Sequence, residues 1–246
     1  EDPGGYYEPG TINILLLPGV RLSERAMNRA VITATEAKTA ALLDLDVRST
    51  YSGSEHGATG TGTDNMVIAE GRGLSIENTG GHSKMGELIA RAVYDGVCEA
   101  LYRQNGLRND RSVFQRLKER GIDLFELLAA SSCECIGDKS MALEDLEEVL
   151  LTPRYAGFLA AAFSMSDEYE KGLVPDLSAF REQCRQVARE LAQNPELQLM
   201  GLVSAESLPP VIEEAMNALL NGIRQKKRET AGEKIRYRES NMLKAF

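Results

Sequence analysis

Apolar positions change their rhythm partway along the chain. Up to Gly106, short apolar runs alternate with helical patterns, and from Asp110 onward only helical patterns remain. Ile12-Asn13-Ile14-Leu15-Leu16-Leu17 is a short run stopped by Pro18-Gly19, which predicts a buried strand. Ser23 then suits a helix N-cap, with Glu24 in the favourable first turn of a helix from about Glu24 to Asp44. Met27, Ala30, Val31, Ala34, Ala37 and Ala41 fall on one face of that helix, so something packs closely against it. Asn28, Thr35, Glu36 and Thr39 share another face, which is either solvent face or the wall of a pocket. Lys38 lies on a different face from Glu36 and need not act with it.

Residues 45–54 are ambiguous, with a candidate strand at 46–51. Residues 65–70 read as a second buried strand, and the alternation over 74–78 predicts a hairpin with it across Gly71-Arg72-Gly73. Thr79-Gly80-Gly81-His82-Ser83 is a glycine turn opening an amphipathic helix that carries Met85, Leu88, Ile89, Ala92, Val93, Val97, Ala100 and Leu101 and closes at Asn105-Gly106. Beyond it, helices are predicted at about 110–120, 122–131, 140–151, 153–171, 176–193 and 209–228, punctuated by Gly121, Pro153, Pro175, Pro195 and Pro209-Pro210. The expected fold is therefore an α/β N-terminal part over 1–106, a mixed sheet with packed helices, followed by an all-helical C-terminal part over 107–246.

Composition refines this picture. The 246 residues are 43% hydrophobic and only 6% aromatic, with no Trp, so the core must be aliphatic and alanine-rich. The net charge of −9 disfavours a nucleic-acid partner. Arg224, Lys226, Lys227, Arg228, Lys234, Arg236, Arg238 and Lys244 make a basic tail that fits a solvated helix end or dimer arm. Cys133 and Cys135 sit too close for an ordinary disulfide, Cys98 and Cys184 fall in helical patterns, and no signal peptide or membrane-length apolar run is present. A reducing, cytoplasmic setting is expected. The sequence begins at Glu1 rather than Met, so a trimmed chain is expected as well.

The candidate chemistry lies in two glycine turns. Gly57-Ala58-Thr59-Gly60-Thr61-Gly62-Thr63-Asp64-Asn65 alternates glycine with threonine. Each glycine inside a helix costs about 1 kcal/mol against alanine, so the run is a loop whose backbone can approach something closely. Asp64 fits a general base or an orienting group, and a threonine hydroxyl beside a base fits a nucleophile. His82 fits a proton shuttle, beside a helix N-terminus able to stabilise an anion. Equally, Thr61 and Thr63 could bond within their own loop, Asp64 could cap a turn, and His82 could have a structural bond only. His56 reads as exposed. With two histidines a zinc site would need carboxylate or thiolate ligands, and no metal site is predicted. Neither a P-loop nor G-x-G-x-x-G is present.

Four ordered blocks carry a family resemblance: Gly10-Thr11-Ile12-Asn13-Ile14; Asn28-Arg29-Ala30-Val31-Ile32-Thr33-Ala34-Thr35-Glu36-Ala37-Lys38-Thr39-Ala40-Ala41-Leu42; Ala58-Thr59-Gly60-Thr61-Gly62-Thr63-Asp64; and His82-Ser83-Lys84-Met85-Gly86-Glu87-Leu88-Ile89-Ala90-Arg91-Ala92-Val93-Tyr94. Together they cover about residues 9–104 and resemble the adenosylcobinamide amidohydrolase family. The resemblance implies hydrolysis of an amide in cobinamide, releasing the aminopropanol arm and leaving cobyric acid for corrinoid salvage toward cobalamin. The corrinoid would be substrate, with no cofactor required. Family members usually have a segment ahead of the first block, so part of the sheet is expected to be missing here. The helical part would be a lid, a homo-oligomerisation element or an accessory module.

Amide hydrolysis needs an attacking oxygen, an oxyanion donor and an acid for the leaving amine. Placed on the matching blocks, Asp64, Glu36 and His82 are the acid/base candidates, and Thr61 and Thr63 the nucleophile or oxyanion candidates. Thr59, Asn65, Asn28, Thr35, Thr39 and Ser83 are the substrate-binding candidates. No catalytic assignment of the family is carried over, and water attack and an acyl-enzyme both stay open. The alternative is a non-catalytic corrinoid- or nucleotide-binding protein using the same loop.

Overall fold

The computed structural model describes residues 10–52, 56–130, 139–204 and 208–243, the side chains of 130, 139–141 and 228–243 excepted. Cys133, Cys135 and most of the basic tail's side chains thus lie outside the described residues. Helices dominate, with two small parallel strand pairs. The chain divides into two units at Arg111–Ser112.

The first unit runs β1 (Asn13–Leu16), β2 (Arg21–Leu22), α1 (Glu24–Asp44), β3 (Asn65–Ile68), β4 (Ser75–Ile76) and α2 (Lys84–Asn105). β1 pairs with β3 from Asn13↔Asn65 to Leu16↔Ile68, and β2 pairs with β4 at Arg21↔Ser75 and Leu22↔Ile76. Both pairings are parallel, so the hairpin expected across Gly71-Arg72-Gly73 does not form, and the expected mixed sheet is two parallel pairs. The segment holding β3 and β4 instead runs alongside the one holding β1 and β2. Asn65 N–H donates to Ile12 O, Ala69 to Leu16 O, Gly71 to Val20 O, and in return Arg21 and Ser23 donate to Leu74 O and Ile76 O. The ladder breaks at Pro18, which has no N–H to offer. There Gly71 passes so close to the backbone of Gly19 that a side-chain carbon would collide with it.

Neither strand is fully buried. Ile12, Ile14, Leu16, Met66 and Ile68 pack inward with α1 and α2, whereas Leu15 and Leu17 are 65% and 64% exposed and Val67 59%. The period-2 alternation of a strand explains the division. Residues 46–51 form no strand, only an isolated antiparallel bridge between Arg48 and Gly57.

α1 begins where its sequence says it should: Ser23 is extended and its hydroxyl accepts from Ala26 N–H. Ala30, Ala34, Ala37 and Ala41 recur at helical spacing and meet Ile89, Val93 and Val97 of α2. The buried face differs from the expected one at its margins. Val31 is 43% exposed, while Thr33 and Lys38 are buried. α2 is capped by Ser83, whose hydroxyl accepts from Gly86 N–H, and ends at Gly106 in the left-handed conformation.

In the second unit the described residues form α3 (Val113–Glu119), α4 (Leu124–Ala130), α5 (Lys139–Leu151), α6 (Pro153–Glu170), α7 (Ser178–Ala192) and α8 (Pro210–Leu243). Pro153 and Pro210 open α6 and α8, where a missing N–H costs nothing. Leu117, Leu146, Leu159, Phe163, Cys184 and Leu219 are in the core, and Arg116 and Arg120 stack on Phe163. Among the described residues no helix is long and apolar enough to cross a membrane.

The alanine seam yields a packing prediction. Ala34→Leu inserts three carbons where no space exists and lowers unfolding free energy by about 1–3 kcal/mol. Ala40→Leu, on the exposed side of the same helix, changes it by less than about 0.5 kcal/mol. Urea denaturation of both variants measures the difference.

Candidate functional site

The Gly/Thr loop folds around one carboxylate. Asp64 ends the loop at the entrance to β3, and its Oδ1 accepts from Ile12 N–H at 2.9 Å and from the Thr61 hydroxyl at 2.6 Å. Its Oδ2 accepts from Thr61 N–H at 3.0 Å and forms an ion pair with Lys38 Nζ. Lys38 reaches it from the middle of α1, with 11% of its side chain exposed. Gly60 covers the pair: a Cβ there would lie 2.6 Å from both Asp64 Oδ2 and Lys38 Nζ. Only glycine lets the backbone pass this close.

The remaining loop contacts are hydroxyl bonds. Thr39 donates to Thr59 O at 3.1 Å, tying the loop to α1, and Thr11 donates to Thr63 O at 2.9 Å, tying it to the start of β1. Asn65 Nδ2 also donates to Thr63 O. The hydroxyls of Thr61 and Thr63 lie 3.5 Å apart on the exposed side of the loop. Burial raises the Asp64 pKa, but the bonds from Lys38, the Thr61 hydroxyl and the N–H groups of Thr61 and Ile12 outweigh it. Together they hold the carboxyl at about 2.

The second glycine turn docks elsewhere on α1. Thr33 donates to Thr79 O at 2.9 Å, and the buried Thr79 hydroxyl donates to Ala26 O at 2.5 Å. At 1.5 Å rise per residue, Ala26 lies about 18 Å along the helix from Lys38. His82 is exposed on this turn, and no hydrogen bond joins it to Asp64 or its loop among the described residues. Ser83 serves the helix: it caps α2 and donates to Gly80 O. Asn28, Thr35 and Glu36 are exposed, and the Thr35 hydroxyl bonds back to Val31 O. The structure therefore joins Thr39, Thr59, Thr61, Thr63, Asp64 and Asn65 in one network and leaves Asn28, Thr35, Glu36, His82 and Ser83 outside it. His56 is exposed.

Lys38 is, with Thr11, a network member that sequence reasoning passed over. Lys38 stands four residues after Ala34 and three before Ala41, which puts it on the alanine stripe by helical spacing. An open cavity of about 490 Å³ in the same unit is lined by Leu45, Tyr94, Cys98, Tyr102 and Arg108 among others, and by none of the predicted site residues. Among the described residues no three His, Cys, Asp or Glu side chains gather as a metal site.

The depressed Asp64 pKa has a signed consequence for stability. A carboxyl ionised more readily in the folded than in the unfolded state stabilises the fold above its ordinary value of 3.8 and loses that contribution as pH falls toward about 2. Asp64→Asn is expected to lower unfolding free energy by about 3 kcal/mol at pH 6, because Lys38 is left buried without its counter-charge. The gap to wild type should close between pH 4 and pH 2, as followed by denaturant unfolding across that range.

Comparison with known proteins bears on the same residues. Residues 2–109 match the family model described as adenosylcobinamide amidohydrolase. An uncharacterized protein of Methanocaldococcus jannaschii is 52% identical over 101 residues, 41% of this chain and 39% of that protein. The adenosylcobinamide amidohydrolase of Methanosarcina mazei is 35% identical over 98 residues, 36% of this chain and 44% of that protein. The chain thus spans about two fifths of the length of these curated relatives. No solved structure matches it. The family resemblance of the sequence blocks is shown for residues 2–109, which match the adenosylcobinamide amidohydrolase family and contain α1, α2, the Gly/Thr loop and the Asp64 network.

Proposed function

We propose that this chain hydrolyses the amide bond holding the aminopropanol arm of (adenosyl)cobinamide, giving (adenosyl)cobyric acid and the free amine. The observation that carries the reading is that the stretch matching the amidohydrolase family contains the whole Asp64 network. Thr61 is the residue we assign to the reacting carbonyl. Its hydroxyl is on the exposed side of the loop, and its proton points at Asp64 Oδ1. As the Thr61 oxygen bonds to the carbonyl carbon, its proton passes to Asp64. That proton then passes from Asp64 to the nitrogen as the carbon–nitrogen bond breaks. Water then cleaves the Thr61 ester, returning the hydroxyl. Thr63 and Asn65 flank this position and supply polar contacts to the substrate.

A second reading is corrinoid binding without hydrolysis. Its support is that Asp64 already accepts four hydrogen bonds and that His82 stands outside the network. Incubating the protein with adenosylcobinamide separates the two: hydrolysis releases aminopropanol, whereas binding alone shifts the corrinoid spectrum with no amine released. On the leading reading Thr61→Ala and Asp64→Asn each lower kcat by about 10²-fold or more, Thr61→Ser retains turnover, and His82→Ala stays within about threefold of wild type. A loss of about 10²-fold in His82→Ala would instead assign the leaving-group acid to the second turn.

A further inference from the structure

We propose that Lys38 is the positioning residue of this site, acting on Thr61 through Asp64; the assignment rests on the amidohydrolase reading for its kinetic consequence only. Lys38 occupies the alanine stripe of α1, and the residue is 9% exposed in a helix whose other long charged side chains have solvent to reach. An ammonium ion held there is costly unless paired. Its partner is Asp64, and the pair sits under Gly60, where a side-chain carbon would strike both charged groups.

The carboxylate divides its bonds between its two oxygens. Lys38 shares Oδ2 with Thr61 N–H, and Oδ1 takes the Thr61 hydroxyl and Ile12 N–H. Thr61 therefore straddles the carboxylate, and Lys38 fixes the oxygen that orients its backbone. Three elements face Asp64: α1 presents Lys38, the start of β1 presents only the neutral Ile12 N–H, and the loop presents Thr61. Lys38 is the one charged group in that set. Without it, a proton on Asp64 becomes the substitute counter-charge. A protonated carboxyl makes one oxygen a donor and a weaker acceptor, so one of its two bonds to Thr61 is changed. A lysine that only filled space would have none of these effects, because methionine of similar length would replace it.

The test follows the carboxyl itself in the full chain. Carbon-13 NMR of Asp64 and the Thr61 amide shift are recorded against pH for wild type and Lys38→Met. In wild type Asp64 is expected to show no titration step above about pH 3. In K38M a step rises by at least about 1 pH unit and the Thr61 amide moves with it. K38R keeps a cation on α1 and returns both toward wild type. If K38M does not fold, Gly60→Ala separates the two charges while keeping both, and the same upward shift is expected. An unchanged Asp64 titration in the folded variant, or a shift that the Thr61 amide does not follow, overturns the proposal. The acid limb of kcat/KM for aminopropanol release should rise by the same interval as Asp64 in K38M. Should wild type release no aminopropanol, the hydrolytic reading fails while the NMR titration still decides the role of Lys38.

Discussion

Asp64 collects donors from three segments that are far apart in the chain. Ile12 stands at the start of β1, Lys38 in the middle of α1 and Thr61 in the loop leading to β3. Without this carboxylate the loop would keep the hydroxyl bonds of Thr11 and Thr39 to its carbonyls and the backbone bonds at its two ends, Ala58 N–H to Val47 O and Asn65 N–H to Ile12 O, but nothing would hold Thr61 between them. The demand on the surroundings is specific. α1 must lie close to the strands for Lys38 to reach, and the alanines at 30, 34, 37 and 41 allow that approach. The loop must pass over the pair without a side chain, and Gly60 does so. Small residues in the helix and a missing side chain in the loop thus serve the same ion pair.

Much of the fold was legible because its signals are local. Ser23 and Ser83 cap helices with their own hydroxyls, Gly106 takes the left-handed conformation that ends α2, and prolines open α6 and α8. The strand pairing was not legible, because a hairpin and a parallel return look alike over Gly71-Arg72-Gly73. What decides between them is the close passage of Gly71 against Gly19 and the ladder break at Pro18, both long-range facts. The site was legible as a place but not as a network. Thr61 and Asp64 were recognisable from the loop alone, whereas Lys38 read as one more charged helix residue. Its position between Ala34 and Ala41 was the available signal.

The two glycine turns, similar in composition, differ in what holds them. The first closes on an ion pair and threonine hydroxyls, so its side chains are arranged relative to a charge. The second is closed by the buried hydroxyls of Thr33 and Thr79 and by the Ser83 cap, all neutral and all bonded to backbone carbonyls or N–H groups. Gly86 completes it, since a side chain there would strike the backbone at Gly80. Charge is what separates the two: the first turn is organised around an ion pair, the second around neutral hydroxyls. Parallel sheets are ordinarily covered on both faces, yet Leu15, Leu17 and Val67 stand open on one side of the β1 and β3 pair. The order of the site therefore depends on the α1 side of the strands, where its anchors lie.

The helical unit solves a comparable problem with neutral groups. Asn217 and Asn221, one turn apart on α8, are both buried. Asn217 Oδ1 accepts from the N–H groups of Leu202 and Val203, and its Nδ2 donates to Val203 O. Asn221 brackets Met200 in the same way, accepting from its N–H and donating to its carbonyl. Two amide side chains therefore stand in for the strand that an extended segment would otherwise need. Asp64 does this for Ile12 and Thr61 at the loop. The difference lies in the chemistry of the surrogate. An amide has both donor and acceptor and satisfies a backbone without titrating. A carboxylate accepts only and titrates, and here it is kept ionised by neutral donors from Thr61 and Ile12 together with the Lys38 cation. Lys38 is the charged member of that donor set, and a titratable group therefore stands at the centre of the loop where the second unit has only the neutral asparagine pair.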